Sequence, residues 1–320
     1  MKRVAVLTSG GDAPGMNAAI RAVVRSAIYE GMEVYGIYRG FEGLMSGQFK
    51  KMSAGSVADI IHRGGTILHT SRSKDFMLSE GRKKAREQLD RLGITGLVII
   101  GGNGSLRGGY ALYMENPELQ VIGIPATIDN DVVYTRCIGY DTAVNTALSA
   151  INNIRDTATS HGRVFIIEVM GRQCGEIALA SGVAGGAESI LIPEIEPDIG
   201  QLIEKIKSGA ERGKLHNIII VAEGVYPVMK LREEIIAATG RDTRVSILGH
   251  VQRGGTPTAV DRILASYMGK AAIDAIIRGK SNVMVAGQDD RIFTIPLGEV
   301  IKGRKTPDLG MFEIARVLST

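Results

Sequence analysis

Asp129 and Asp131 stand two residues apart in PATIDND, residues 125–131. A general base and a carboxylate near a metal would suit phosphoryl transfer, where the protein mainly positions the reactants and stabilises charge. An exposed Asx-rich turn has the same composition, so the pair has to be weighed with its surroundings. In VIIGGNGSLRGG, residues 98–109, the apolar run Leu97–Ile100 enters a loop with Gly101, Gly102, Asn103, Gly104 and Ser105. A tight turn explains one or two of its five glycines, counting Gly108 and Gly109. A backbone that approaches an anion explains more. The following helix is expected to begin near Ser105, whose hydroxyl would cap it or touch phosphate.

Gly10, Gly11 and Gly15 in LTSGGDAPGMN form a second loop able to wrap an anion at a helix N-terminus. The loop does not fit G-x-x-x-x-G-K-[ST], which disfavours a P-loop ATPase. Basic groups recur at strand exits: Arg163, Arg172 in MGRQCGE, and Arg244, His250 and Arg253 in RVSILGHVQRGG. Each alone reads as a solvated charge; together they suit a dianionic phosphate. Glu223 in VAEG would accept from sugar hydroxyls.

These clusters sit at the ends of apolar runs. Strands are predicted at Val4–Leu7, Val34–Ile37, Gly96–Ile100, Val121–Ile124, Val164–Val169, Ser189–Ile192, Asn217–Val221, Val245–Leu248 and Val283–Val285. Helices are predicted at Met16–Ile28, Glu80–Leu92, Thr142–Ile154 and Thr258–Ile277. The first would place Met16, Ile20, Val23, Val24, Ala27 and Ile28 on one face. This alternation predicts an α/β protein with mostly parallel sheets, whose ligands gather at the carboxyl ends of strands. Arg291–Pro296 reads as an antiparallel edge strand after a QDD turn. A domain boundary is placed near Asp141.

With 320 residues the chain has room for two domains. Its 41 glycines, nearly twice the average of about 7%, fall mostly at the ends of apolar runs, the pattern of strand-to-helix turns. A net charge of +4 without basic blocks, 5% aromatics and no Trp fit anionic metabolites better than nucleic acid. Cys137 and Cys174 match no metal spacing and read as reduced thiols of a cytosolic protein. MKRVAVLTSGGD reads as a strand and turn rather than a signal peptide, and no apolar run reaches the ~18 residues of a membrane span.

The chain resembles the bacterial ATP-dependent 6-phosphofructokinases essentially from Met1 to Thr320. The resemblance rests on LTSGGDAPGMNAAIR, HRGGTIL, TIDND, IGYDTA, IRDTATSH, EVMGR, VAEG and LGHVQRGG. It implies two doubly wound domains with the active site in the cleft between them. The larger, nucleotide-binding domain would span 1–140 plus about 256–304. The smaller, sugar-phosphate-binding domain would span 141–255 plus about 305–320. It further implies transfer of the ATP γ-phosphoryl group to the 1-hydroxyl of fructose 6-phosphate, with Mg2+, in a cytoplasmic homotetramer under allosteric control.

Carried over by position, Asp129 would be the base, with Thr127 and Ile128 beside it. Asp131 would support the metal and phosphates, and Arg172 would offset charge on the transferred group. Met170, Gly171, Arg172, Glu223, His250, Val251, Gln252 and Arg253 would hold the sugar phosphate, joined by Arg163 and Arg244 of a neighbouring subunit. Gly11, Arg72, Ser73 and Gly102, Asn103, Gly104 and Ser105 would hold ATP, with Asn103 at the metal. A nucleoside diphosphate or phosphoenolpyruvate effector would meet Arg21, Arg25, Arg155, Gly186, Ala187, Glu188, Arg212, Lys214, Leu215 and His216.

Three positions depart from the family pattern. Leu215 stands where relatives often carry Lys. Asn103 replaces the Asp of G-G-D-G-S, keeping a carbonyl oxygen without the charge a hard cation favours. Ala126 replaces the Gly of P-G-T-I-D-N-D and would add a methyl where the substrates pass. Pyrophosphate-using relatives carry Asp and Lys at the positions of Gly104 and Ala126, so this chain reads as ATP-dependent. The alternatives are a catalytically weakened regulatory or binding paralogue, and a pyrophosphate-dependent enzyme. An NAD or lipid kinase would not explain LGHVQRGG and EVMGR together.

Overall fold

Val4, Ala5, Val6 and Leu7 are all fully buried, which only a strand covered on both faces allows. The computed structural model describes residues 2–288 and 291–319. In chain order it begins β1 (Arg3–Ser9), α1 (Met16–Tyr29), β2 (Glu33–Ile37), α2 (Gly40–Ser46) and β3 (Phe49–Lys51). There follow α3 (Ser79–Arg91), β4 (Gly96–Gly101), α4 (Asn103–Glu115), β5 (Gln120–Pro125) and α5 (Tyr140–His161). Next come β6 (Val164–Val169), α6 (Glu176–Ala184), β7 (Ser189–Leu191), α7 (Ile199–Glu211), β8 (Asn217–Ala222), α8 (Val228–Thr239) and β9 (Thr243–Ile247). The last are α9 (Ala259–Ile277), β10 (Val283–Gln288), β11 (Arg291–Pro296), α10 (Leu297–Val300) and α11 (Leu309–Leu318).

The chain divides into two compact units. The first holds the residues up to Thr142 together with Arg253–Lys305; the second holds Ala143–Gln252 and the segment from Thr306 on. The sheet of the first unit has the order β11-β10-β5-β4-β1-β2-β3. Its five central strands are parallel and its two edge strands antiparallel. Strand alternation gives each face its own core. Ala5, Leu7, Leu97, Ile99 and Val121 pack with Leu44, Phe76, Leu89 and Leu106 on one side. Val4, Val6, Val98, Ile100 and Ile122 are buried too, and α1 and α9, which pack on each other and on the sheet, are buried through Ile20, Val24, Met268 and Ile276. Gly269 permits that pairing, since a Cβ there would lie 2.5 Å from the Ala22 methyl.

The second unit carries a parallel sheet of order β7-β8-β6-β9. Its core joins Val164, Ile166, Ile219 and Val221 to Leu202, Ile206, Leu231 and Ile235. All nine strands predicted from apolar runs are strands here, with ends shifted by at most three residues. The edge strand at Arg291–Pro296 pairs antiparallel with β10; Asp289 and Asp290 of the QDD turn lie outside the described residues. Two expectations change. Ile28 is 36% exposed rather than on the buried face of α1, whose inward side takes Asn17 instead. The helix expected from Thr142 starts at Tyr140 and runs to His161.

Candidate active site

The glycine loop after β4 forms an uncapped helix start. α4 begins at Asn103, two residues earlier than expected, and no side chain caps its N-cap residue Gly102. Its first amides therefore suit an anion, with the helix dipole in support. A Cβ on Gly104 would meet nothing within 4 Å, so the loop is open on that side. Ser105 is not the cap: it is 3% exposed in the first turn, and its Oγ would lie 2.5 Å from a Cβ on Gly101.

The carboxylate loop is tied to this exit. Ala126 N donates to Gly101 O at 3.0 Å and Thr127 N to Ile138 O at 3.1 Å. Asp129 N donates to Thr127 Oγ1 at 3.3 Å, closing a small turn. Asn130 takes the left-handed conformation, φ 53°, and its Oδ1 accepts from Cys137 N at 2.9 Å. Asn103 Nδ2 donates to Asp131 O at 3.2 Å, joining the helix start to the loop. A Cβ on Gly102 would touch the Thr127 side chain at 3.4 Å, so Thr127 stands against the anion loop. Ile128 is buried, and so is Ala126.

Gly11 lies under Arg253, which belongs to the first unit. A Cβ at Gly11 would sit 2.0 Å from Arg253 Nη2, so any side chain there would displace the guanidinium. Arg253 Nε is buried without a hydrogen-bond partner among the described residues. Thr70 Oγ1 donates to Gly10 O at 2.8 Å, bringing the segment before Arg72 and Ser73 to the same loop. Arg72 is exposed; Ser73 Oγ accepts from Phe76 N at 3.3 Å.

In the second unit, Glu223 shapes the turn after β6. Its Oε1 accepts from Arg172 N at 2.6 Å and Gly171 N at 3.3 Å. Arg172 is thereby held at φ 61°, with its side chain exposed. Met170 N donates to Gln252 Oε1 at 2.9 Å, while His250 and Val251 are exposed. Arg163 and Arg244 share one partner, Asp242, at 2.7 and 3.0 Å. The candidate effector residues form two groups there. Arg155 donates to the carbonyls of Gly185 and Gly186; Glu188 pairs with Lys214 at 3.1 Å and accepts from Ile218 N. Ala187 is buried, His216 half-buried, and Arg212 and Leu215 exposed, whereas Arg21 and Arg25 lie on α1 of the first unit. A cavity of about 230 Å³ touches Ala187, Glu188, Lys205 and Phe312 and none of the sugar-phosphate candidates.

Several buried or paired polar groups stand out only in the structure. Asp261 is fully buried and accepts from Gly139 N at 2.9 Å, Thr142 N at 2.8 Å and Thr142 Oγ1 at 2.6 Å, fixing the start of α5. Burial pushes its carboxyl pKa up, and those hydrogen bonds oppose the rise. Thr258-x-x-Asp261 is a capping-box pattern that would have flagged it. Here Asp261 N donates to Thr258 Oγ1, but the carboxylate serves α5 and Thr258 N turns to Thr142 Oγ1. Arg241 donates to the carbonyls of Lys214 and Leu215. Burial, then the charge of Glu223, raises the pKa of Glu168. Burial drives the Cys137 thiol to about 12, leaving it inert.

Among the described residues no group of three or more His, Cys, Asp or Glu would hold a metal ion, and no helix is long and apolar enough to cross a membrane. Residues 3–276 match the family described as Phosphofructokinase. The chain is 54% identical, over the whole of both sequences, to an ATP-dependent 6-phosphofructokinase of Natranaerobius thermophilus. Phosphofructokinase from Saccharomyces cerevisiae superposes with a TM-score of 0.89 at 36% identity, covering 100% of this chain and 48% of the yeast chain, so this chain spans about half of that one. A pyrophosphate-dependent phosphofructokinase from Marinobacter aquaeolei gives 0.86 at 25% identity, covering 97% of this chain and 86% of that one.

Proposed function

Because the chain belongs to the phosphofructokinase family, we propose that it transfers the γ-phosphoryl group of ATP to the 1-hydroxyl of fructose 6-phosphate. The products are fructose 1,6-bisphosphate and ADP, the committed step of glycolysis. The full-length match to an ATP-dependent 6-phosphofructokinase carries this reading. The site chemistry supports it: an uncapped helix start joins a loop bearing two carboxylates through Asn103 and Asp131.

In this reading Gly11, Arg72, Ser73 and the Gly102–Ser105 turn hold the ATP phosphates. Asp129 takes the proton from the 1-hydroxyl, on a turn shaped by the Thr127 hydroxyl. Arg172 offsets the charge that grows on the transferred group, at a backbone position Glu223 fixes. The second oxygen of Glu223 accepts a sugar hydroxyl, while Met170, Gly171, His250, Val251, Gln252 and Arg253 complete the sugar-phosphate contacts.

The family uses a divalent metal with ATP, and we assign Mg2+. The residues present fit it: Asn103 commits its nitrogen to Asp131 O, leaving Oδ1, a hard donor, for the cation, with Asp131 in support. Most ligands would come from phosphates and water, and the ion would neutralise phosphate charge. The wider reading is a cytoplasmic homotetramer, with Arg163 and Arg244 completing a neighbour's site. A nucleoside diphosphate or phosphoenolpyruvate would bind at Arg21, Arg25, Arg155, Gly186–Glu188, Arg212 and Lys214–His216. A coupled assay with ATP or pyrophosphate, with fructose 6-phosphate present or omitted, tests the activity. Turnover is expected with ATP and sugar phosphate together; turnover with pyrophosphate alone as donor would replace this reading.

A further inference from the structure

Residues 58–74 of the first unit contain no helix or strand. Irregular stretches this long are uncommon in a compact unit, and their backbone groups still require partners. One side chain supplies three. Asn17 on α1 is 1% exposed; its Oδ1 accepts from Ile67 N at 2.8 Å, and its Nδ2 donates to Arg63 O and Gly64 O, each at 3.1 Å. This pattern needs an acceptor and two donors at the end of a short stem. A carboxylate lacks the donors and a hydroxyl lacks the second one.

The strap continues under further ties. Thr8 Oγ1 donates to His69 O at 2.9 Å, Thr70 Oγ1 to Gly10 O at 2.8 Å, and Ser71 Oγ to Arg39 O at 2.7 Å. It also lies tight against the 254–255 turn: a Cβ on Gly64 would be 2.3 Å from Gly255 O. The next residues along it are Arg72 and Ser73. A segment without a ladder of its own takes its register from such side-chain ties, and Asn17 provides the first of them along the strap, with three hydrogen bonds from one buried side chain.

We propose that Asn17 is a positioning residue for the donor nucleotide, setting the register of strap 63–73 so that Arg72 and Ser73 meet the phosphates at the Gly10–Gly11 loop. The proposal rests on the assignment of Arg72 and Ser73 to ATP. The test compares Asn17→Ser and Asn17→Ala with Arg72→Ala, reading amide exchange across residues 63–73, both KM values and kcat. In the Asn17 variants, Ile67 and its neighbours should exchange about 10–100-fold faster. KM for ATP should rise roughly tenfold, while kcat and KM for fructose 6-phosphate change less than about twofold.

A loosened strap with unchanged KM for ATP, where Arg72→Ala raises it, overturns the role of Asn17 and leaves the assignment standing. If Arg72→Ala also leaves KM for ATP unchanged, the assignment fails and takes the proposal with it. Unchanged exchange in the Asn17 variants overturns the proposal directly. Should those variants not fold, the unmodified chain decides: its Ile67 amide must be protected without nucleotide. Exchange there at the rate of a free loop removes the lock.

Discussion

Asn103 Nδ2 donates to the backbone carbonyl of Asp131 at 3.2 Å, so the first residue of α4 holds the loop that carries both candidate carboxylates. Aspartate has no such donor. Asn103→Asp would set a negative charge against that carbonyl, and without metal the variant should lose about 1–2 kcal/mol of stability. Magnesium with nucleotide should narrow this gap, and the magnesium needed for half-maximal rate should fall. Thermal melts at rising magnesium and a rate titration at saturating substrates check both. Unchanged stability without metal would show the tether to be idle, and equal midpoints would show that Asn serves the cation as well as Asp.

Asp129→Ser should leave fructose 6-phosphate binding near normal while kcat falls ~100-fold or more, because a general base acts in the transition state. Steady-state kinetics of the folded variant decide. Retention of most of the turnover would remove Asp129 from that role.

Asp261→Asn replaces an acceptor that faces three donors by a group that carries donors itself. Its amide nitrogen would oppose Gly139 N or Thr142 N inside the fold. Stability should drop by roughly 2–4 kcal/mol, read from denaturant melts. A loss below about 0.5 kcal/mol would mean that the start of α5 finds other partners.

Glu168 gives a pH signature. Burial and the neighbouring Glu223 raise its folded pKa above the ordinary carboxylate value. Its contribution to stability is therefore complete below that ordinary value and lost as pH rises through the folded pKa. Glu168→Gln removes this dependence, so its advantage over the parent chain should appear as pH rises above the ordinary range and then level off. Parallel stability profiles for the two proteins would contradict the assignment.

Arg163 and Arg244 converge on Asp242, which leaves them one joint surface. If that surface completes a neighbouring subunit's site, an Arg163→Ser chain mixed with an Asp129→Ser chain should recover activity that neither parent has. Verified hybrids without recovery would place each site within one chain.

The strands were legible in sequence because a fully covered parallel strand has to be apolar at every position, as Leu97–Ile100 is. The glycine loops at their ends, and the carboxylates and arginines near them, stood out in sequence as candidates for phosphate chemistry, which restricts residue types at close quarters. The resemblance supplied expected roles that spacing could not. What the tertiary structure alone decided were partnerships across long separations. Asn17 meets residues 63–67, Gly11 meets Arg253, and Asp261 meets Gly139 and Thr142. None has a periodicity, since a hydrogen bond between distant segments leaves no repeat in the chain. Start positions failed for a related reason. Ser105 has the composition of a cap, but the close packing of Ser9, Gly101 and Ser105 puts it inside the first turn and leaves the helix N-terminus open for an anion.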